Sequence, residues 1–131
     1  DTTTGSNGII NGSFAAVDYA EYILHHYDAV VTDLLHEQAR EQQHALRKQA
    51  RESDTGWKDL AKHIKVEYSH EERNFVYSVT GKKNQEKALD LEYGNGAVPP
   101  TPFMRSAILQ TQYDSEQRLN QKMGAEFMKG Y

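Results

Sequence analysis

Three prolines, the only ones in the chain, stand together at Pro99, Pro100 and Pro102. Each proline holds its φ angle at about −65° and lacks a backbone N–H, so neither a helix interior nor a central strand can pass through this point. The stretch 89–108, LDLEYGNGAVPPTPFMRSAI, therefore predicts a stiff, extended connector between a short apolar segment and a last helix. Such a connector either positions a neighbouring element or is itself bound by a partner.

The remaining sequence has few apolar residues from which to build a core. Only 37% of the 131 residues are hydrophobic, and the mean hydropathy is −0.81. We therefore expect one thin-cored domain, whose remaining apolar surface neighbouring subunits would cover. The net charge of −4 argues against nucleic-acid binding, which needs clustered positive charge. Cysteine is absent, which excludes disulfides and thiolate chemistry, and no apolar run approaches the roughly 18 residues of a membrane span.

The N-terminal half predicts an arm followed by a long helix. Residues 1–13, rich in Thr, Gly, Ser and Asn, predict a flexible arm ahead of a single domain over 14–131. A helical stripe of apolar residues then begins at Val17. It comprises Val17, Ala20, Ile23, Leu24, Tyr27, Val31, Leu34 and Leu35. Beyond Leu35 the helix propensity stays high while the apolar face thins, so we expect the second half of this helix to extend past its core or to meet another subunit.

The middle of the chain predicts a β-hairpin with one covered face. Apolar residues alternate with polar ones in two short runs, the period of a half-buried strand. These residues are Ile64, Val66 and Tyr68 in the first run and Phe75, Tyr77 and Val79 in the second. Asp54 or Thr55 is expected to cap a short helix before the hairpin. In that helix Trp57 should anchor the core.

After the hairpin, two helices flank the proline connector. Residues 86–93 favour a short helix capped by Asn84 and ended by Gly94. Residues 103–128 favour a last helix, with inward residues Met104, Ile108, Leu119, Met123 and Phe127. The order of long helix, short helix, hairpin-based antiparallel sheet, short helix, connector and C-terminal helix predicts the α+β class.

Residues that could carry chemistry are scattered. The long helix holds His25, His26, His36 and His44 without an H-E-x-x-H spacing, so we predict surface histidines and no metal or other cofactor. Asp90 and Glu92 flank apolar residues and are expected to point to solvent, not to form a catalytic pair. The cations of this helix, Arg40, Arg47, Lys48 and Arg51, alternate with acids, a pattern typical of i,i+4 pairing on a solvated face. We predict that the chain is not an enzyme.

Two stretches of the sequence resemble the small neck and tail-completion proteins of long-tailed bacteriophages. LEYG at 91–94, followed by PPTPFMRSA at 99–107, is similar to the signature "hydrophobic-E-[FY]-G-T … P-x-[RK]-P-F-[LM]-R-P-A" of these head–tail joining proteins. TGWKDLAKHI at 55–64 is similar to their "T-G-x-L-x-x-S-I" element. The chain departs from the pattern in having Asn95, Thr101, Ser106 and His63 where Thr, a basic or polar residue, Pro and Ser are usual.

The resemblance, which covers roughly residues 15–125, implies a non-enzymatic structural protein of the virion. Such proteins form a ring, commonly six-fold, that joins the tail tube to the head connector and lets DNA pass during ejection. The implied partners are further copies of the chain, a head-connector protein and a tail-tube or tail-terminator protein, with no membrane. The protein would be made in the cytoplasm of the bacterial host and would reside in the neck or tail of the virion.

The connector is the predicted site of subunit contact. The candidate interface residues are Tyr93, Gly94, Pro99, Pro100, Pro102, Phe103 and Arg105. Arg105 is expected to pair with a neighbour's carboxylate or helix end. The alternative is that these residues form a purely intramolecular turn that packs the last helix onto the hairpin. Two other functions stay open: a cytoplasmic adaptor or assembly protein outside the virion, and a small hydrolytic enzyme that uses His25, His36, Asp90 and Glu92.

Overall fold

A computed structural model of the chain describes residues 13–18 and 28–129. These residues form an α+β fold with an antiparallel three-stranded sheet, which confirms the predicted α+β class. The strands are β1 (Ser13–Asp18), β2 (Ile64–Ser69) and β3 (Asn74–Val79), and the helices are α1 (Asp28–Glu52), α2 (Trp57–Leu60), α3 (Lys82–Tyr93) and α4 (Met104–Lys129). A 3₁₀ turn, Ala61–His63, joins α2 to β2. None of the described helices has an apolar stretch that could cross a membrane.

The sheet has the order β1-β3-β2, so the predicted hairpin supplies its central strand and one edge. Ile64 pairs with Val79 and Tyr68 with Phe75, which places the alternating apolar residues of both strands on one face. All six are buried, which confirms the hairpin and its covered face: Ile64, Val66, Tyr68, Phe75, Tyr77 and Val79.

The predicted start of the long helix is wrong. Val17 belongs to β1, where it pairs with Phe75 across the second edge of β3, and the described part of the helix spans Asp28–Glu52. The alanines of SFAAVD favour a helix locally, but the open edge of β3 offers backbone hydrogen bonds that a local pattern does not reveal. Positions Ala20, Ile23, Leu24 and Tyr27 lie outside the described residues, as do residues 1–12 of the predicted arm.

Helix α1 packs within its own chain over its second half, so the expectation that this half extends past the core is wrong. Its buried face contains Val31, Leu35, Ala39, Leu46 and Ala50, together with the glutamines Gln38 and Gln42. The Tyr77 hydroxyl donates a hydrogen bond to Gln42 Oε1. Buried glutamines therefore continue the inward face where the apolar stripe thins.

Polar side chains of α1 also cover the outer edge of β2. The Val66 amide donates to Gln43 Oε1 at 3.1 Å, and Arg47 Nε donates to the Ile64 carbonyl at 2.8 Å. These bonds use backbone groups that an edge strand would otherwise present to other chains.

Helix α4 lies antiparallel to α1. Four of its five predicted inward residues are buried, namely Met104, Ile108, Leu119 and Met123, whereas the side chain of Phe127 lies outside the described part of the chain. Ion pairs join the two helices: Glu37 with Lys122 at 3.6 Å and Glu41 with Arg118 at 3.5 Å. The sequence pattern suggested i,i+4 pairs along α1. These acids instead pair with cations of α4, across the two helices.

Both short helices end close to the predicted points. The N-cap of α2 is Gly56 and not Asp54 or Thr55 as expected, although the Trp57 amide donates to Thr55 Oγ1 at 3.2 Å. Helix α3 begins at Lys82, earlier than expected, and Asn84 is not its cap because its side chain donates to the Thr80 carbonyl from within the helix. Gly94 ends α3 as predicted.

Candidate functional site: a buried carboxylate beneath the proline connector

The side chain of Glu92 is fully buried where α3, the connector and α4 meet. Its Oε1 accepts hydrogen bonds from the amides of Phe103, at 2.9 Å, and Met104, at 2.8 Å. Its Oε2 accepts bonds from the Arg105 amide, at 3.2 Å, and from Arg105 Nε, at 3.1 Å. We call this arrangement the Glu92 anchor.

The physical basis of the Glu92 anchor is the start of α4. The first amides of a helix have no partner within the helix, and the positive end of the helix dipole favours an anion there. A capping residue usually comes from the chain immediately before the helix. Here the cap comes from the preceding helix, 11 residues before Phe103. One carboxylate therefore fixes the spacing between the end of α3 and the start of α4.

The expectation that Glu92 points to solvent is wrong, whereas Asp90 is exposed as expected. Ala88 and Glu92 are four residues apart on α3 and share its buried face, while Leu89 is 39% exposed. The alternation of Leu89, Leu91 and Tyr93 resembles the period of a strand and obscures the true inward face.

Arg105 completes the site on its outer side. Its guanidinium carbon lies 4.5 Å from the centre of the Tyr93 ring, a cation–π arrangement, while Nε pairs with Glu92. Burial raises the pKa of the Tyr93 hydroxyl above its ordinary value, the Arg105 charge opposes that rise, and the Glu92 charge adds to it. Arg105 is expected to pair with a carboxylate or a helix end of a neighbouring subunit, and the described structure provides a carboxylate in the same chain.

The connector is held at its two ends. At the first end, Gly94 has a φ of 77°, and its backbone lies so close to the connector that a Cβ there would be 2.9 Å from Pro100 Cδ. At the second end, the Thr101 amide donates to the Leu91 carbonyl at 2.6 Å, and Trp57 Nε1 donates to the Thr101 carbonyl at 2.9 Å. Trp57 is buried, as predicted for a core anchor, and its ring also contacts Phe103, with ring centres 5.4 Å apart.

Between these ends the chain forms a structured but exposed turn. Asn95 Oδ1 accepts the amides of Ala97, at 3.0 Å, and Val98, at 2.9 Å, and the Asn95 amide donates to the Val98 carbonyl. Residues 97–100, which we call the connector tip, are all exposed, and Val98 is 49% exposed. The turn therefore presents apolar side chains to solvent from an ordered backbone.

The structure brings the seven candidate interface residues into this one region. Tyr93, Gly94 and Phe103 are half-buried in its base, whereas Pro99, Pro100, Pro102 and Arg105 are exposed. Sequence reasoning missed the roles of Glu92 and Thr101. The signal that could have revealed Glu92 was present, because a glutamate lies 11 to 13 residues before the amides that begin the last helix.

The residues of the hydrolytic alternative are not brought together where the structure describes them. His36 is exposed on α1, and both oxygens of Glu92 are engaged in the Glu92 anchor. No hydrogen bond or ion pair joins His36, Asp90 and Glu92 to one another, and His25 lies outside the described residues. Within the described part of the chain, no group of three potential ligands could hold a metal ion.

Comparisons with protein-family models, with curated proteins and with solved structures each give no match to this chain. Any functional conclusion therefore depends on the residues and their geometry.

Proposed function

We propose that this chain is a structural virion protein of a long-tailed bacteriophage, located at the neck or tail end. It would form a ring, commonly six-fold in such proteins, that joins the tail tube to the head connector and lets DNA pass. The observation that carries the proposal is the Glu92 anchor. It ties the two halves of the sequence signature, LEYG and PFMR, into one structural unit.

The Glu92 anchor gives the signature a physical reason. The glutamate must precede the last helix by a fixed distance, because its carboxylate bonds to three successive amides at the start of that helix. Gly94 must follow closely, because its positive φ and its contact with Pro100 leave no room for a side chain. A resemblance in these positions is therefore a resemblance in geometry, which supports a shared fold and a shared role.

Two further features suit a ring around DNA. The net charge of −4 favours a channel wall along which DNA slides, since carboxylates repel phosphates. The connector tip is apolar, exposed and ordered, so it can contact a neighbour without a large loss of conformational entropy.

The test is to locate the protein in assembled particles. Phage particles made with a tagged copy of the chain should retain the tag through purification, and imaging should place it at the neck or tail end. The purified protein should form a ring, alone or with its connector and tail-tube partners, as measured by light scattering. A strictly monomeric protein that never purifies with particles would refute the proposal.

The composition of purified particles also distinguishes the virion protein from the alternative, a cytoplasmic adaptor or assembly protein. A cytoplasmic adaptor or assembly protein would bind tail or connector proteins in cell extracts but would be missing from the finished particle. Quantitative mass spectrometry of purified particles, with a known tail-tube protein as the reference, distinguishes the two outcomes.

A further inference from the structure

The turn that begins the connector holds an Asn-Gly pair, Asn95 and Gly96. Two more such pairs, at 7–8 and 11–12, lie outside the described residues. An asparagine before a glycine is open to attack of the next backbone nitrogen on its side-chain amide, because the glycine has no Cβ to hinder the approach. Asn95 and Gly96 are both exposed, so water reaches the pair.

The attacking group, the Gly96 nitrogen, is free to react. Within the described part of the chain, the Gly96 amide donates no hydrogen bond. No atom of a non-adjacent residue lies within 4 Å of the place where a Cβ would be, so the approach is open. Asn84 is different, because the amide of the next residue, Gln85, donates to the Gly81 carbonyl at 2.9 Å and its own side chain donates to the Thr80 carbonyl. Asn84 therefore serves as a comparison within the same chain.

The atom under attack, Asn95 Cγ, is activated by the turn itself. Its oxygen, Oδ1, accepts the amides of Ala97 at 3.0 Å and Val98 at 2.9 Å. Attack on Cγ places negative charge on this oxygen, and two backbone N–H groups aimed at it stabilise such a charge in acyl transfer. The leaving nitrogen, Nδ2, has no hydrogen-bond partner among the residues that the structure describes.

We propose that Asn95 is a self-modification site, at which the folded connector promotes its own deamidation. The Gly96 nitrogen gives its proton to solvent and bonds to Asn95 Cγ. The bond from Cγ to Nδ2 then breaks, and Nδ2 takes a proton from solvent and leaves as ammonia. The cyclic succinimide that remains adds one water at either of its carbonyls, which gives aspartate or isoaspartate at position 95. Water is the only co-reactant.

Both products change the start of the connector. An aspartate still accepts the Ala97 and Val98 amides, and its charge strengthens those bonds. An isoaspartate adds a methylene to the backbone between positions 95 and 96, so the backbone bonds between Asn95 and Val98 lose their register. Either product places a negative charge beside the connector tip, which carries no charged residue. The proposal does not depend on the proposed function, because one folded copy is sufficient for the reaction.

The experiment follows the Asn95 amide by mass spectrometry of tryptic digests, after the purified full chain has stood at mildly alkaline pH. Asn95 is the only asparagine or glutamine in the tryptic peptide 88–105, so a mass gain of that peptide reports this residue alone. An isoaspartate methyltransferase distinguishes the two products. The folded chain should lose the Asn95 amide at least as fast as the same chain unfolded in guanidinium chloride, and it should keep the Asn84 amide.

Variants test the two parts of the site. Gly96→Ala, whose added Cβ meets no neighbour, should slow the reaction by about tenfold. Val98→Pro removes one of the two donors to Oδ1 and should slow the reaction of the folded chain by about threefold, less than such a donor contributes in a site without water. The matched control Val98→Ala keeps the donor and should react at the wild-type rate. Circular dichroism checks that the variants fold.

A folded chain that loses the Asn95 amide more slowly than the unfolded chain overturns the proposal, because the turn would then protect the residue. A folded Val98→Pro variant that reacts at the wild-type rate also overturns it. If that variant does not fold, the comparison of the folded and unfolded wild type still decides. None of these outcomes bears on the virion role, which depends on the composition of particles.

Discussion

Glu92, on α3, connects that helix to the end of the connector and to the start of α4. Its carboxylate receives three backbone amides and one guanidinium nitrogen, while its own side chain has no solvent contact. Hydrogen bonds to an ionised group are about twice as strong as neutral ones, and breaking a buried ion pair from one side is costly. The partner Arg105 is 46% exposed, so most of the cost of losing Glu92 would come from the amides left without an acceptor.

Glu92→Ala should lower the free energy of unfolding by about 3 kcal/mol, because it leaves the amides at the start of α4 without their acceptor. Urea denaturation measures this change. Trp57, the only tryptophan, contacts both Thr101 and Phe103, so its emission should also report a loosened connector. The matched control is Asp90→Ala, an exposed acid on the same helix, with an expected change within about 0.5 kcal/mol. Equal effects of the two substitutions would contradict the Glu92 anchor.

The raised pKa of the Tyr93 hydroxyl predicts a loss of stability at alkaline pH. The folded chain holds the Tyr93 proton more tightly than the unfolded chain does, because burial raises the pKa of this hydroxyl above 10.0. The free energy of unfolding should therefore be insensitive to this group below pH 10.0 and fall as the pH rises past its raised pKa.

Tyr93→Phe isolates this effect. The hydroxyl is buried without a hydrogen-bond partner, so the variant should be at least as stable as the wild type at neutral pH. Above pH 10 the wild type should lose stability more steeply than the variant, as measured by denaturation at several pH values. If the free energy of unfolding falls equally with pH in the wild type and in the variant, Tyr93 does not contribute to the alkaline loss of stability.

At the scale of elements, the junction between α3 and the connector depends on one glycine. Gly94 ends the helix with a φ of 77°, and its backbone packs against Pro100 and the Val98 carbonyl. A positive φ is strained for residues with a Cβ, and the close contact leaves no space for one. The prolines can fold back toward α3 only because this residue permits the turn.

Gly94→Ala should therefore destabilise the fold by roughly 2 kcal/mol, from backbone strain and from the clash with Pro100. Gly96→Ala is the matched control two residues away, where a Cβ would meet no atom within 4 Å, and it should change stability little. Thermal unfolding of both variants measures the difference. A Gly94 variant as stable as the Gly96 variant would show that the turn can relax.

At the scale of the whole molecule, charge is unevenly placed. Ion pairs join α1 to α4, whereas the connector tip carries no charged residue. A ring contact through the connector tip would leave the charged side chains in water, where charges cost least.

Self-association should therefore persist or strengthen when the salt concentration rises. Salt screens the repulsion between chains of net charge −4, and it does not weaken an apolar contact. Sedimentation at low and high sodium chloride measures the association constant. Weakening by salt would indicate that ion pairs, and not apolar contacts, hold the copies together.

Part of this architecture could be predicted from the sequence because its causes are local. The hairpin follows from apolar residues at every second position, and the inward residues of α4 follow from the helical period. The proline connector follows from the fixed φ and the missing N–H of three residues. Each of these signals lies within the element that it specifies.

The rest was decided by tertiary structure, because its causes lie far apart in the chain. Val17 forms a strand because β3 has an open edge some 60 residues later, which outweighs the local helix pattern. Gln42 is buried because the Tyr77 hydroxyl, 35 residues away, bonds to it. Glu92 turns inward because the amides of α4 lack acceptors of their own. The sequence by itself determined where the connector lies and that it is stiff; only the folded chain decided that a buried carboxylate holds it in place, since a polar group is buried only where its partners meet it.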